Sequence, residues 1–529
     1  MSGPNASTVQ SVEEMVGRFQ GELIAQLPGW SRRLSAEPGQ LEPLEREVHA
    51  AFAQGADLLV AGLLAVVMQQ TEFLAAAERT RRDHGYPLAR GRTRQIRVRL
   101  LGGLLIWVSS LYCGPRKSLF RRRVEEVPGL YVELAQFGFG KGVTPGLQSR
   151  VARQAAWSPS FELARQELAR SGVELDGKTV QRITYQCGRG LLALRKHQLG
   201  LWRAGQLPAG TELKGKRVTV QIDGGRMKIR GPLQAAPVRA EPTGADGLVV
   251  ENAPGRSRAR PKQTFAADWR EPKLVTIFIH DEQGRMVKGS RATVEGTFLG
   301  PDAIAELTAM HLHRLGAAHA LSVTFVSDGA PWIWDRVARM VALAKLDQVP
   351  IYEVLDCCHA AHHISLALAA LGLSERERMP LYRELRTLLR NGHWRRVVEE
   401  LTEVALDPHH EKLQTELAYL RKHGEADRLS YPRYRGLGLP LGSGAIESGI
   451  RRVVNLRLKS NGMFWREPQA EIMLQIRAQV LTDRWDERLR QMRELVRQDA
   501  RQTWHWEPQA MSPKSEPAHA IAKSTVKTQ

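Results

Sequence analysis

The sequence predicts an α/β protein. A mixed β-sheet with flanking helices and a helical insertion is preceded by helical and helix-turn-helix regions. Three observations lead there: short β-rich runs alternate with helical patterns beyond residue 206, a helical hairpin signature lies ahead of them, and charge is laid out in blocks. The 529 residues are 43% hydrophobic and 25% charged, the balance of a folded chain with a large core. The net charge of +20 points to a polyanionic partner, nucleic acid by default, with a membrane surface as competitor.

The first block, residues 1–78, holds ten acids and four arginines. Apolar residues at helical spacing from Val48 to Leu74 predict an N-terminal helical region over 1–80. The most apolar runs, Leu58–Met68 and Leu100–Tyr112, fall short of the roughly 20 residues a spanning helix needs, so no membrane partner is expected. No secretory leader is expected either, because Glu13, Glu14 and Glu22 interrupt the first thirty residues. The cysteines Cys113, Cys187, Cys357 and Cys358 form no disulfide framework and fit a reducing cytosol.

Residues 79–123 carry thirteen Arg or Lys and one Asp. The alternation from Arg94 to Leu100 predicts a strand in a basic β region over 81–128. Its arginines suit a DNA backbone, or a solvated strand face. Over 129–205 a helix-turn-helix region is predicted. Phe161–Arg170 is amphipathic, Ser171-Gly172 breaks it, and Asp176 caps a second helix from Gly177 to Gln186. Lys178, Thr179, Gln181 and Arg182 are the polar side chains this second helix would offer to a major groove. Any helical hairpin carries a similar pattern.

A catalytic domain is predicted over 206–480. β-rich runs end in Asp223-Gly224-Gly225 and Asp328-Gly329, while Gly442-Ser443-Gly444 opens a helix bearing Glu447. A buried strand delivers a terminal carboxylate to a fixed point, and glycine admits a ligand. Two strand-borne aspartates and one helix-borne glutamate make the acidic set of two-metal phosphoryl transfer. Mg²⁺ prefers carboxylate oxygens, and two ions can activate the attacking oxygen and stabilise the leaving one. Taken singly, an Asp-Gly after a strand is a turn. Strands at Leu274–Ile279 and Ala292–Phe298, a helix from Pro301 to about Leu315 and a strand at Pro350–Leu355 complete a ribonuclease-H-like order. Ser374 with Glu377 forms a capping box in a helical insertion at about 365–438. Residues 231–270, with Arg256, Arg258, Arg260 and Lys262, read as a loop or insertion rather than a core element. Residues 481–529 hold a C-terminal helix and, from about 507, a disordered tail.

These segments, in this order, resemble a known family. Ile222-Asp223-Gly224-Gly225, Ser327-Asp328-Gly329-Ala330-Pro331-Trp332-Ile333-Trp334, Leu355-Asp356-Cys357-Cys358-His359, Gly442 to Ser448, and Val453 to Trp465 are similar to motifs of ISKra-type insertion-sequence transposases. These are DDE enzymes of bacterial mobile elements, and the match runs from about residue 125 to 486. The resemblance implies that Asp223, Asp328 and Glu447 are catalytic and bind two Mg²⁺ ions, with Mn²⁺ as substitute. It implies cleavage of double-stranded DNA at terminal inverted repeats, strand transfer, assembly as a homo-oligomer and a cytoplasmic, nucleoid-associated setting. A transposase-derived regulator without activity, and a nuclease or integrase of the same fold, are the alternatives.

Asp356-Cys357-Cys358-His359 resembles the Asp/Cys-x-x-His motif of Mutator-like transposases. His359 is placed with the catalytic set, to position a phosphate or a base, or to form a strand-to-helix corner. Cys357, Cys358, His359, His362 and His363 have zinc-ligand chemistry, but adjacent residues chelate one ion poorly. Relatives carry paired cysteines in the basic β region where this chain has only Cys113, so that region reads as a degenerate zinc ribbon. Trp332 and Trp334 either stack on bases or pack in the core. Arg451, Arg452, Arg457, Lys459 and Trp465, on or after the Glu447 helix, are expected to contact DNA.

Overall fold

In a computed structural model, the described residues are 6–115, 128–140, 142–231, 265–405, 407, 409–460 and 462–507. The 256–262 basic segment and all but the first residue of the predicted tail lie outside them. The N-terminal region is three helices, Ala6–Ala36, Leu41–Val67 and Thr71–Arg82. One helical stretch here, Pro38–Val67, is long and apolar enough to cross a membrane by length and composition. This corrects the expectation that no segment reaches that length: the helix continues through Gln54, Gly55 and Asp57, which interrupt the apolar run without ending it. Asp57 is 3% exposed. Its carboxylate accepts hydrogen bonds from the Gly102 and Leu104 N–H groups, each at 2.9 Å, and so docks the helix on the turn of the next element.

That element is a long antiparallel ribbon of β1 (Leu88–Arg99) and β2 (Leu105–Pro115), extended by the short β3 (Leu130–Tyr131). Arg90, Arg92, Arg94 and Arg97 are exposed. Cys113 is fully buried against Leu88, Leu130 and Val132, a packing role rather than a ligand position. Helices Pro145–Trp157, Phe161–Arg170 and Gly177–Arg203 follow, sharing a core of Leu147, Val151, Leu168, Val180 and Ile183. Asp176 caps the third helix, accepting from Thr179 N at 2.9 Å. This helix runs to Arg203, well past the predicted Gln186. The glycines at 188 and 190 weaken helix propensity but let other helices approach: a Cβ on Gly188 would lie 2.5 Å from Ile472.

The central sheet has five strands in the order β10-β9-β4-β7-β8. They are β4 (Arg217–Gly224), then, after a two-stranded arm of β5 (Met227–Gly231) and β6 (Ala266–Arg270), β7 (Lys273–His280), β8 (Thr293–Thr297), β9 (Ser322–Ser327) and β10 (Ile351–Leu355). Strands β4, β7 and β8 pair antiparallel, while β9 and β10 run parallel to β4. Of the 231–270 segment read as a loop or insertion, the described residues 266–270 form β6 of this arm, outside the central sheet. Val218, Val220 and Ile222 face a core shared with the helix Pro301–Leu315. By strand alternation Thr219, Gln221 and Asp223 face the opposite side, where helices Gly444–Ile450 and Glu467–Val480 pack. Helices Glu375–Arg390, Trp394–Glu403 and Glu411–Glu425 lie within the stretch 365–438 expected to be helical, with the Ser374–Glu377 capping box in place. A further helix spans Trp485–Gln498.

Candidate active site

Three neighbouring parallel strands end at one edge of the sheet, and each ends at an aspartate. Asp223 is the penultimate residue of β4, Asp328 follows β9 and Asp356 follows β10. Asp223 Oδ1 accepts from Gly224 N at 2.6 Å. Burial, and then the charge of Asp328, push its carboxyl up to about 6. Like charges held close disfavour ionisation in this way. Asp328 Oδ1 accepts from Ala330 N at 3.1 Å, and its carbonyl from Trp334 Nε1 at 2.6 Å. Trp334 is therefore a buried core residue. Trp332 is half-buried, with Lys273 Nζ 4.0 Å from its ring centre.

Glu447 is exposed on the short helix Gly444–Ile450. Its apolar face, Ile446 and Ile450, continues into Val453 and Val454 of a π-helical turn, as the sequence pattern predicts. Two buried polar side chains clamp the loop before it. Gln221 donates to the Gly442 carbonyl at 2.9 Å and accepts from Ile446 N at 3.0 Å. Asp356 Oδ2 accepts from Ser443 N at 2.5 Å and Ser443 Oγ at 2.8 Å, while Oδ1 accepts from Cys358 N at 2.7 Å and His359 N at 2.9 Å. Ser443 thus stands at the N-cap of this helix, but its hydroxyl serves Asp356 and lies 3.3 Å from Glu447 Oε1. Burial alone would raise the Asp356 carboxyl. Hydrogen bonds from His359 and Ser443 outweigh it and hold the group well below the usual carboxylate range.

His359, on the first turn of the helix Cys357–Ala370, is half-buried with Nδ1 3.4 Å from Asp356 Oδ1. It is held above its ordinary value chiefly by Asp356, with Asp328 and Glu447 adding to the effect. Ligand atoms of Asp356, His359 and Glu447 all lie within 4.8 Å of one another, the one such set among the described residues. The predicted trio is therefore split: Asp223 and Asp328 adjoin at the strand ends, and Glu447 is gathered with Asp356 and His359. The zinc reading of the Cys-His cluster is not borne by this geometry, since neither cysteine joins that set and His363 Nδ1 is 2.5 Å from Glu416. His363 also stacks on Tyr419 at 3.5 Å between ring centres. A side chain at Gly329 would collide with that same Tyr419 ring, so the helical insertion seats the Asp328 turn.

The predicted DNA contacts divide. Lys178, Gln181 and Arg182 are exposed at the start of their helix, and Thr179 is half-buried. With Arg97 and Arg99 of β1, Thr179 and Arg182 line one cleft of about 840 Å³, so the basic strand and the candidate recognition helix share a surface. Arg451, Arg452 and Lys459 are exposed. Arg457 and Trp465 are not: they are 2% and 8% exposed, which corrects their assignment as DNA contacts. The Arg457 guanidinium stacks on Phe161 and Trp465 at 5.0 and 5.1 Å, and burial lowers its pKa to about 10. It ties the Glu447 segment to the three-helix module. Sequence reasoning missed Gln221, although a long polar side chain in an otherwise apolar strand, two residues before Asp223, was the available signal.

The clamp on this loop gives a direct expectation. Gln221→Leu will speed amide exchange at Ile446, and Asp356→Ala at Ser443, because each N–H loses its buried acceptor. Hydrogen exchange by mass spectrometry reads this without any substrate. Unchanged protection over 442–447 would refute the clamp.

Compared with known proteins, the chain matches no family model, no curated protein and no solved structure.

Proposed function

We propose that the chain is a DDE transposase of the ISKra type. In this reading a ribonuclease-H-like domain cleaves double-stranded DNA at the terminal inverted repeats of an insertion sequence and transfers the strand to a target. The observation that carries it is the sheet order β10-β9-β4-β7-β8, with Asp223 and Asp328 at adjacent parallel strand ends and Glu447 on the helix packed over β4. That order suits the ribonuclease-H-like plan expected from the sequence.

The donor set fits hard divalent cations. Asp223 and Asp328 bring two carboxylates close enough to repel, a charge that Mg²⁺ or Mn²⁺ offsets. Glu447 is solvent-facing and can serve a second ion, because ligands of ions about 3.5–4 Å apart need not touch one another. Bound there, two such ions would supply activation of a water molecule and stabilisation of the leaving oxygen. The Asp356 carboxylate already accepts four hydrogen bonds, so it orients Glu447 rather than joining the ligand set. His359, its pKa raised chiefly by Asp356, suits a non-bridging phosphate oxygen as a ring N–H donor. In the first step water oxygen bonds to phosphorus, the bond to the 3′ oxygen breaks, and the released 3′-hydroxyl takes a proton. In the second, that hydroxyl attacks a target phosphodiester in line and displaces the target's own 3′ oxygen. The cleft between β1 and the third module helix would hold the transposon end.

We further propose a homo-oligomer, since two ends must be processed together, acting on nucleoid DNA in a bacterial cytoplasm. The test is incubation of the full chain and Mg²⁺ with a duplex carrying the element's end. The expected product is a strand-specific nick with a 3′-hydroxyl. End binding without a nick under any divalent cation would favour the inactive regulator.

A further inference from the structure

The arm of β5 and β6 continues the β4–β7 hairpin beyond Asp223. Gly225 N bonds to the Pro272 carbonyl at 2.8 Å at the junction, and Arg226 follows Asp223 by three positions. Along β5, Met227 and Ile229 are buried, at 0% and 4% exposure, and pack with Val454 and Trp465. Arg226, Lys228 and Arg230 alternate with them and are exposed. Trp269, directly across from Lys228 on β6, is 46% exposed. Three cations converge on its ring: Arg226 at 4.9 Å, Lys228 at 5.3 Å and Lys459 at 6.0 Å. Arg230 lies over Phe265 at 4.7 Å. Asp268, next to Trp269, alternates to the other face of β6.

Among the described residues, none of Arg226, Lys228, Arg230 and Lys459 has a carboxylate partner. Four cations on one strand face and an adjoining loop, with no carboxylate paired to them among the described residues, repel one another, and that cost is recovered when a polyanion lies across them. Aromatic rings hold their stems in place, which reduces the side-chain entropy lost on binding. The spacing is one cation on every second strand residue, suited to successive backbone phosphates rather than to base edges. The arm begins where the candidate catalytic carboxylates end, and Lys459 follows the Glu447 helix.

We propose that Arg226, Lys228, Arg230 and Lys459, organised by Trp269, form a phosphate-binding shelf for the DNA strand that enters or leaves the strand-end carboxylates. The assignment of DNA as the occupant rests on the transposase reading; the shelf itself rests on the arm's charge and geometry.

The experiment measures binding of the full chain to a 30-base-pair duplex and to the same sequence as a single strand, over a salt series. The wild type is compared with Arg226→Gln/Lys228→Gln/Arg230→Gln. The triple variant should bind at least roughly tenfold more weakly at 100 mM salt. Its log–log salt slope should fall by about 2–3, near 0.9 for each duplex phosphate no longer neutralised. Trp269→Ala should weaken binding less, and Trp269→Phe should bind like the wild type. Loss on the single strand alone places displaced strand on the shelf, and loss on the duplex places flanking DNA there. Unchanged affinity and slope in a triple variant with wild-type melting would overturn the proposal. So would a chain that binds RNA or heparin through these residues but no DNA. A wild type that binds DNA and nicks none would sink the transposase reading while leaving the shelf intact.

Discussion

Asp223→Asn is expected to reduce Mg²⁺-dependent cleavage at least ~10³-fold and, at the same time, to make the metal-free protein more stable. The two effects share one cause. Asp223 is half-buried beside Asp328, and its carboxyl is raised to about 6. For an acid raised by folding, the native state is favoured while the group is protonated. That advantage is lost as pH climbs from the ordinary carboxylate value, near 4, through 6. Above pH 6 the folded chain therefore carries a penalty on the order of 1–3 kcal/mol, from burial of the ionised carboxylate first and the charge of Asp328 second. Asparagine keeps the oxygen that accepts from Gly224 N but removes the charge. Its metal-free melting temperature should exceed the wild type's by a few degrees at pH 7.5, with the excess shrinking through pH 5 and vanishing below about pH 4. Added Mg²⁺ should raise the wild-type melting temperature at pH 7.5, do so less at pH 5, and leave Asp223→Asn nearly unmoved. Differential scanning fluorimetry across pH and Mg²⁺ decides it. A variant no more stable than wild type at pH 7.5 would show that ionised Asp223, buried beside Asp328, carries no cost.

The parts of this site that are legible in the sequence are those written in local pattern. A β-rich run of period two closed by Asp-Gly places Asp223 and Asp328 at strand ends. The apolar spacing of Ile446, Ile450, Val453 and Val454 places Glu447 on a packed helix, and all four are buried as expected. What stays hidden depends on contacts distant in sequence. Nothing local reveals that Gln221 reaches Gly442 and Ile446, or that Asp356 spends four acceptor positions on two helix starts. Arg457 and Trp465 mislead for the opposite reason. Arginine in a basic stretch resembles a surface contact, but its planar guanidinium can bury itself between aromatic rings and carbonyls. The shelf residues Arg226 and Lys228 carry no local signal, because Trp269 lies some forty positions away across a segment that reads as loop.

The second large effect lies away from the carboxylates. Arg195→Met is expected to cost about 3–5 kcal/mol of stability, because it strands two buried charges. Arg195 is on the long helix Gly177–Arg203, and its guanidinium lies 3.3 Å from Glu295 of β8 and 2.5 Å from Glu471 of the helix Glu467–Val480. Both carboxylates are fully buried. His311 completes the group, 3.2 Å from Glu295. Burial alone would raise Glu295, and His311 with Arg195 pulls it well below the usual range. In the wild type this stability is present above about pH 4.5 and fades only as the pH falls towards 2. Without Arg195 the orphaned acids must take up protons to remain buried, so the variant's deficit should be greatest at pH 8 and shrink towards pH 5. Arg195→Met combined with Glu471→Leu should recover part of the loss, since removing both partners leaves fewer unpaired charges. Denaturant titrations at the two pH values measure this, and a deficit independent of pH would refute the electrostatic account. The same group joins the helix that presents Lys178 and Gln181 to the edge strand of the central sheet. If the proposed recognition and cleavage are coupled, this buried network is the rigid link. Arg195→Met at a temperature where it remains folded should then keep end binding within a fewfold of wild type while nicking falls further.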